Sequence, residues 1–280
     1  MQHLFKYFIW YVLIATFSCF SFLIPNFSSA TNIQNILIGG SVLGIMVIGQ
    51  ALCLFARNLD LSAEGNVSIV TVIAAWLMLP AAESTFAQAG GLGIELVPAL
   101  VVPIMLILGT IFGFINGLLI AYVGMNFFIV TLAMLFILRG ATLAITRLIT
   151  GRTQVPGLRV LIENDPIAWM FATDTFKWLF TWLGSMNLIA LRTDGTPLAT
   201  GIPPSVIWFI AATLFATWIL MKTRYGNWIF ASGGDKNGAT NVGVPVGRVK
   251  ISLFIGTAVA ATIFATIQVL DAGSADTMRG

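Results

Sequence analysis

Five stretches of this sequence hold no charged residue: Tyr7–Ala56, Gly65–Ala82, Leu96–Leu138, Gly195–Met221 and Ile251–Leu270. About 20 apolar residues in a helix cross roughly 30 Å of hydrocarbon. The Leu96–Leu138 window is 43 residues long, enough for two crossings joined by a tight turn near Gly124-Met125-Asn126. Charged residues make up 9% of the chain, against about 25% in soluble domains, and mean hydropathy is +0.95. These values describe an integral membrane protein rather than a soluble enzyme with an apolar core.

Backbone polar groups in lipid must be satisfied within their own segment, so the spans are helices. The expected fold is all-α, a polytopic transmembrane helical bundle occupying residues 1–280 as one domain. Seven spans are read at Phe5–Ile24, Gln34–Phe55, Val67–Pro80, Val97–Val123, Phe127–Arg147, Pro204–Met221 and Ile251–Leu270. The third is short, and is tilted, broken or buried by its neighbours. At the N-terminus, Lys6 precedes the apolar run Tyr7–Ile24, and Ser28-Ser29-Ala30 resembles a cleavage site. That run exceeds the about 7–15 residues of a signal peptide, which favours an uncleaved first span.

Orientation follows from the basic loops. With His3 and Lys6 in the cytoplasm, six crossings return the chain there at Lys222–Lys250. This 29-residue loop carries Lys222, Arg224, Lys236, Arg248 and Lys250 against Asp235 alone, and it holds six glycines. Such a basic bias marks the inside face. A loop far longer than a turn requires suggests a docking surface for a soluble partner. Residues 148–203 then form an extracytoplasmic region in which Arg152, Arg159, Lys177 and Arg192 balance Glu163, Asp165, Asp174 and Asp194. Its aromatic stretch Trp169–Leu183 is read as lying at the interface or packing on the bundle, because Asp174 and Lys177 oppose a full span.

Several function classes drop out. The single His3 and the two span-embedded cysteines, Cys19 and Cys53, build no metal site, redox pair or catalytic triad. No phosphate-binding loop with Lys followed by Ser or Thr is present. The basic balance reflects topology, with lipid rather than nucleic acid as the implied contact.

Polar and small residues inside the spans remain. Gly109, Gly113 and Gly117 recur every fourth residue, as do Gly40 and Gly44, a spacing that lets helix backbones approach closely in lipid. Arg139 lies twelve residues into the fifth span, where a charge costs about 2.5–3.5 kcal/mol even on lenient scales. It is either a pathway or gating residue, or a structural charge paired with a carbonyl or with Asp60 or Glu64. The separation of Asp60 and Glu64 would put both on one helix face; the other reading is a loop cap beside Arg57. Asn116 is a polar residue within the fourth span, expected to face a cavity.

These residues fall into a familiar order. Pro25-Asn26-Phe27 is followed by Asn32-Ile33-Gln34-Asn35-Ile36-Leu37, and later by Leu59-Asp60-Leu61-Ser62. Gly113 leads into Asn116-Gly117-Leu118-Leu119, Phe128-Ile129-Val130-Thr131-Leu132 and Arg139-Gly140. Thr223-Arg224-Tyr225-Gly226, Gly233-Gly234-Asp235, Gly243-Val244, Arg248-Val249-Lys250 and Ala272-Gly273-Ser274-Ala275 complete the set. In this pattern the chain resembles the permease subunits of bacterial ATP-binding-cassette importers of the ribose and simple-sugar type. It departs from that family at Asn58, where a glycine is usual, and at Lys236, where an acid is common. Glu64-Gly65 is similar to the nucleoside-type branch.

The resemblance implies a pore of two permeases, as a homodimer or with a paralogue, in the bacterial inner membrane. It implies a cytoplasmic ATPase that binds ATP and magnesium, and a periplasmic substrate-binding protein. The chain itself would bind no cofactor and perform no chemistry. Residues 222–250 would be the coupling segment, with Arg224, Gly233, Gly234, Asp235, Lys236, Gly243, Arg248 and Lys250 at the ATPase contact. Asp60, Ser62, Asn116, Phe128, Thr131 and Arg139 are the translocation-pathway candidates. Relatives of this type carry about ten spans, so the resemblance also implies a chain shortened at its C-terminus. Import of nucleosides, autoinducer-type furanones or branched-chain amino acids by the same architecture, or a non-transporting receptor or scaffold, are the alternatives.

Overall fold

The computed structural model describes residues 2–80, 91–150, 154–158, 165–172, 175–186, 188–189, 191–193, 196–199 and 201–276. Arg152, Arg159, Glu163, Asp174 and Asp194, counted above in the charge balance of residues 148–203, lie outside the described residues. Helices form at all seven expected positions: α1 Gln2–Leu23, α2 Ala30–Phe55, α3 Ala63–Met78, α4 Pro98–Leu118, α5 Phe127–Thr150, α8 Pro204–Lys222 and α11 Val246–Ala272. Among the described residues four shorter α-helices connect them: α6 Pro166–Ala172, α7 Lys177–Ser185, α9 Arg224–Gly234 and α10 Lys236–Asn241. One short antiparallel pair, β1 Gln154–Pro156 with β2 Ser274–Asp276, is the sole two-stranded element among the described residues.

By length and apolarity, five helices among the described residues can cross a bilayer: α2, α4 with its extension to Val123, α5 to Leu148, α8 and α11. Tyr7–Leu23 and Ala63–Met78 are apolar but shorter. The fold is thus the all-α polytopic bundle that the charge-free windows require. The turn expected near Gly124 is present. A π-helical turn, Leu119–Val123, ends on Gly124 at φ 77°, and the Met125 amide returns to the Leu119 carbonyl. Only glycine enters that backbone region without steric cost.

The chain divides into two compact units, residues 1–40 with 174–203, and residues 41–173 with 204–280. In the first, Phe17 and Phe20 of α1 meet Phe27 edge-on, with ring centroids 5.5 and 5.6 Å apart. The second unit contains the core. There α4 lies along α11, and the glycine stripe is the reason. A Cβ at Gly109 would meet Thr262 Oγ1 at 2.0 Å, at Gly113 the Phe254 carbonyl oxygen at 2.6 Å, and at Gly117 Ile251 Cα at 2.7 Å. Close backbone approach replaces the hydrophobic drive that lipid cannot supply. Gly44 and Gly40 differ: the first receives the Phe209 ring of α8, whereas the second has open space around it.

The third span is short because it starts inside the bundle. A Cβ on Gly65 would lie 3.1 Å from the Leu135 carbonyl oxygen and from Leu138 Cβ, which are near the middle of α5. Asn66 Nδ2 donates to the Ala258 carbonyl at 3.0 Å, near the middle of α11. Helix α3 therefore begins at half height and is buried along nearly its whole length, from Ala63 to Met78. Helix α6 packs on α8: Phe171 stacks on Trp208 at 5.3 Å, and Trp208 Nε1 donates to the Met170 carbonyl at 3.0 Å. Asp165 starts it. Its Oδ1 accepts from the Ile167 and Ala168 amides at 2.8 and 3.1 Å, and its Oδ2 from the Ala99 amide at the start of α4 at 3.2 Å.

Candidate functional site

The site is built on the reversal between α2 and α3. After Phe55 the chain turns back on itself. The Asn58 amide donates to the Cys53 carbonyl at 3.0 Å, and Asn58 Nδ2 to the Ala56 carbonyl at 2.7 Å. Arg57 takes a left-handed backbone at φ 54° to allow it. The returning segment is then held against α2 by Gln50, whose Nε2 donates to the Asp60 carbonyl and whose Oε1 accepts from the Asp60 amide at 3.3 Å. One amide side chain thus satisfies both backbone groups of Asp60, as buried backbone groups require.

The Asp60 carboxylate is placed by this clamp at the foot of α3. Its Oδ1 accepts from the Ser62 amide at 3.0 Å and from the Ser62 hydroxyl at 2.6 Å. Ser62 Oγ in turn accepts from Asn116 Nδ2 of α4 at 2.7 Å. Asp60, Ser62 and Asn116 are 1%, 3% and 0% exposed, so the three form one buried polar node. Asp60 Oδ2 and Asn116 Oδ1 are both left without a partner. Both atoms are acceptors, able to take a hydrogen-bond donor.

Glu64 and Arg139 settle two expectations. Asp60 precedes α3 and Glu64 lies in its first turn, so they do not share a helix face; this corrects that reading of their spacing. The reason is the Gln50 clamp, which holds the chain extended through Asp60. Arg139 pairs with Glu64 rather than with Asp60, at 2.6 Å, with the two side chains 37% and 33% exposed. Both Glu64 and Arg139 are thereby held at the level where α3 begins. Thr131 is buried and its hydroxyl donates to the Phe127 carbonyl of its own helix at 2.8 Å, while Phe128 is half-exposed on another face of α5. The structure brings Asp60, Ser62 and Asn116 together by hydrogen bonds and pairs Arg139 with Glu64 in the first turn of α3, while Phe128 is half-exposed.

The 222–250 segment is folded rather than looped. Thr223 Oγ1 caps α9 by accepting from the Gly226 amide at 3.1 Å, and Asp235 Oδ1 caps α10 by accepting from the Asn237 amide at 3.0 Å. Such caps satisfy amides that a helix start leaves open. Arg224, Asp235, Lys236 and Arg248 are exposed, Lys250 is half-buried, and Gly243 makes the turn into α11 at φ 86°. The apolar face of α9 is buried: Ile229 packs with Cys53, Ala56, Val249 and Leu253. Gly234 faces open space, whereas Gly233 is wedged against the end of α2. The Tyr225 hydroxyl bonds to Ser252, and burial pushes that phenol above its ordinary value, so it remains a neutral donor or acceptor.

Gln50 and Asn66 are essential to this arrangement and were not singled out from sequence. Their signal was available: amide side chains inside charge-free windows must find partners in the bundle. Among the described residues no group of three His, Cys, Asp or Glu could hold a metal ion.

Comparison with known proteins agrees with this architecture. No solved structure matches the chain. The chain is 27% identical over 270 residues to the ribose import permease protein of Escherichia coli (strain K12), covering 96% of this chain and 70% of that protein. It is 31% identical over 269 residues to the galactose/methyl galactoside import permease protein of the same strain, covering 95% and 70%. To the xylose/arabinose import permease protein of Sulfolobus acidocaldarius it is 29% identical over 253 residues, covering 90% and 58%. Residues 32–279 match the family described as branched-chain amino acid transport system / permease component. With most of its length inside that match and with a polytopic helical bundle to house it, the chain belongs to this family of transport permeases.

Proposed function

We propose that this chain is the membrane-spanning permease subunit of an ATP-binding-cassette importer for a neutral monosaccharide. The similar proteins named above are sugar permeases for ribose, galactose or xylose and arabinose. The observation that carries the choice of solute is the Asp60–Ser62–Asn116 node. Its two unpartnered oxygens are both acceptors, so they match the hydroxyl donors of a sugar and oppose a carboxylate or phosphate. Asp60, Ser62, Asn116, Thr131 and Arg139 line or support the pathway in this reading, and Phe128 faces the lipid or a second permease.

In the same reading the N-terminus is cytoplasmic, and residues 222–250 dock on an ATPase that binds ATP and magnesium. A periplasmic binding protein delivers the sugar to the opposite face, and a second permease copy or paralogue completes the pore. ATP-driven closure of the ATPase reorients the bundle, and the chain forms no covalent bond to the solute. The exposed Arg224, Lys236 and Arg248 supply a basic face on the side where positive charge is retained.

The test is uptake of labelled ribose, galactose and xylose by cells lacking this gene and by the same cells carrying the full-length gene. Restored uptake of one of these sugars is expected. Equal uptake in both strains for all three, with the protein present in the membrane, rejects the sugar-importer reading.

A further inference from the structure

Two adjacent glycines at the end of α9 have opposite surroundings. A Cβ on Gly234 would meet nothing within 4 Å, but on Gly233 it would lie 2.2 Å from the Phe55 carbonyl oxygen and 3.0 Å from Ala56 Cα. At Gly233, α9 touches the last turn of α2 backbone to backbone. Glycine permits that approach because it has no Cβ. The contact is braced on one side by Ile229, fully buried against Cys53 and Ala56. On the other side the Phe230 ring meets the Phe55 ring edge-on, with centroids 5.2 Å apart.

From Ala56 to Asp60 the chain has little slack. Amides of Ala56, Arg57 and Asn58 bond to carbonyls of α2, and the Asn58 side chain closes back on the Ala56 carbonyl. Gln50 then holds both polar groups of the Asp60 backbone. A shift at Ala56 is therefore carried to the Asp60 carboxylate rather than absorbed in the turn. Beyond Asp60, the node crosses from α3 to α4 through the Asn116–Ser62 hydrogen bond.

We infer that Gly233 is the point at which α9 drives the α2–α3 reversal. Displacement of α9 passes through Phe55 and Ala56 to Asp60 and Ser62, and opens or remakes the Ser62–Asn116 bond. This inference rests on the reading of residues 222–250 as the ATPase-docking segment. It adds a route: a chain of named contacts from that segment to the buried node, along which a displacement of α9 can be carried and which the variants below test. Gly233 and Ala56 are positioning residues here, since neither touches the solute. The glycine is thus a contact residue between α9 and α2.

The experiment uses the importer purified from its native membrane through a tag on the full-length permease, with its bound ATPase, and reconstituted in liposomes. Labelled-sugar uptake and ATP hydrolysis are measured together, with the binding protein supplied. Gly233→Ala should lower sugar moved per ATP at least tenfold while hydrolysis stays within twofold of wild type. Gly256→Ala, in α11 with nothing within 4 Å of its added carbon, should leave the ratio unchanged. If Gly233→Ala fails to reach the membrane, Phe230→Ala tests the same junction by removing the ring contact, and should also lower the ratio. A fall of uptake and hydrolysis in parallel, or an unchanged ratio, overturns the route. Absence of sugar uptake in the wild-type complex counts against the importer reading instead, so the two failures are separable.

Discussion

The seam between α4 and α11 offers a quantitative test of the packing. Gly113→Ala adds a carbon 2.6 Å from the Phe254 carbonyl oxygen, 2.7 Å from Ala258 Cβ and 3.0 Å from Ile255 Cα. Two of these obstacles are backbone, so the helices must separate. Overpacking of this kind costs about 1–3 kcal/mol, while Ala over Gly in a helix returns up to about 1 kcal/mol. The expected net loss is about 1–2 kcal/mol. At Gly109 the obstacle is a side-chain atom, Thr262 Oγ1 at 2.0 Å. Gly109→Ala should therefore be rescued by Thr262→Ala, with a coupling energy of roughly 1 kcal/mol, whereas Gly113→Ala has no such partner. Thermal unfolding of the detergent-solubilised full-length protein, followed by fluorescence-detected gel filtration, reads both effects. Gly113→Ala as stable as wild type, or strict additivity of Gly109→Ala with Thr262→Ala, would show that the stripe does not set the helix separation.

Three further outcomes follow from single contacts. Asp165→Ala should lower stability by about 1–3 kcal/mol, because the carboxylate holds amides at the starts of both α4 and α6; a melting curve unchanged from wild type refutes the tie. Glu64→Gln should reduce the amount of protein in the membrane by leaving Arg139 uncompensated, and Glu64→Gln with Arg139→Gln should recover part of it; equal abundance of the single and double variants, by immunoblot of membranes, counts against the pair. Reversing charge at Arg248 and Lys250 together should leave the protein in the membrane but abolish sugar uptake while the ATPase remains active; normal uptake by that variant removes these residues from the docking surface.

The spans were legible because hydrocarbon excludes charge: the charge-free windows fall on α2 and α4, on most of α1, α3, α8 and α11, and on the first half of α5, up to Arg139. The height at which α3 starts was not. It depends on Gln50 holding the backbone of Asp60, ten residues further on, and on Asn116 reaching back to Ser62, and neither pairing leaves a local trace. The glycine stripe at Gly109, Gly113 and Gly117 announced a close helix contact, but its partner, α11, lies more than 130 residues away. Gly233 illustrates the complementary failure. A glycine needed for a left-handed turn, as at Gly243, and one needed for close approach look alike in sequence. Arg139 was correctly read as too costly to stand alone, and the choice between Glu64 and Asp60 required knowing that Asp60 stops short of the helix.

In the proposed importer the half-height start of α3 would also bear on selectivity. At that level stand two acids, Asp60 and Glu64, against one base, Arg139, and the base is already engaged at 2.6 Å. The remaining free atoms in the node are acceptor oxygens. A solute that offers hydroxyl donors can satisfy them, while an anion of the same size meets two acids against one base. Asp60→Asn removes the charge and turns one acceptor into a donor with little change of shape. In the reconstituted importer it should slow uptake of the neutral sugar and narrow its advantage over a sugar acid of equal carbon count. The binding protein is common to both measurements, so its own preference cancels when variant and wild type are compared. An unchanged ratio of neutral to acidic sugar in Asp60→Asn would remove the node from the selectivity of the pathway and leave it as a structural clamp between α3 and α4.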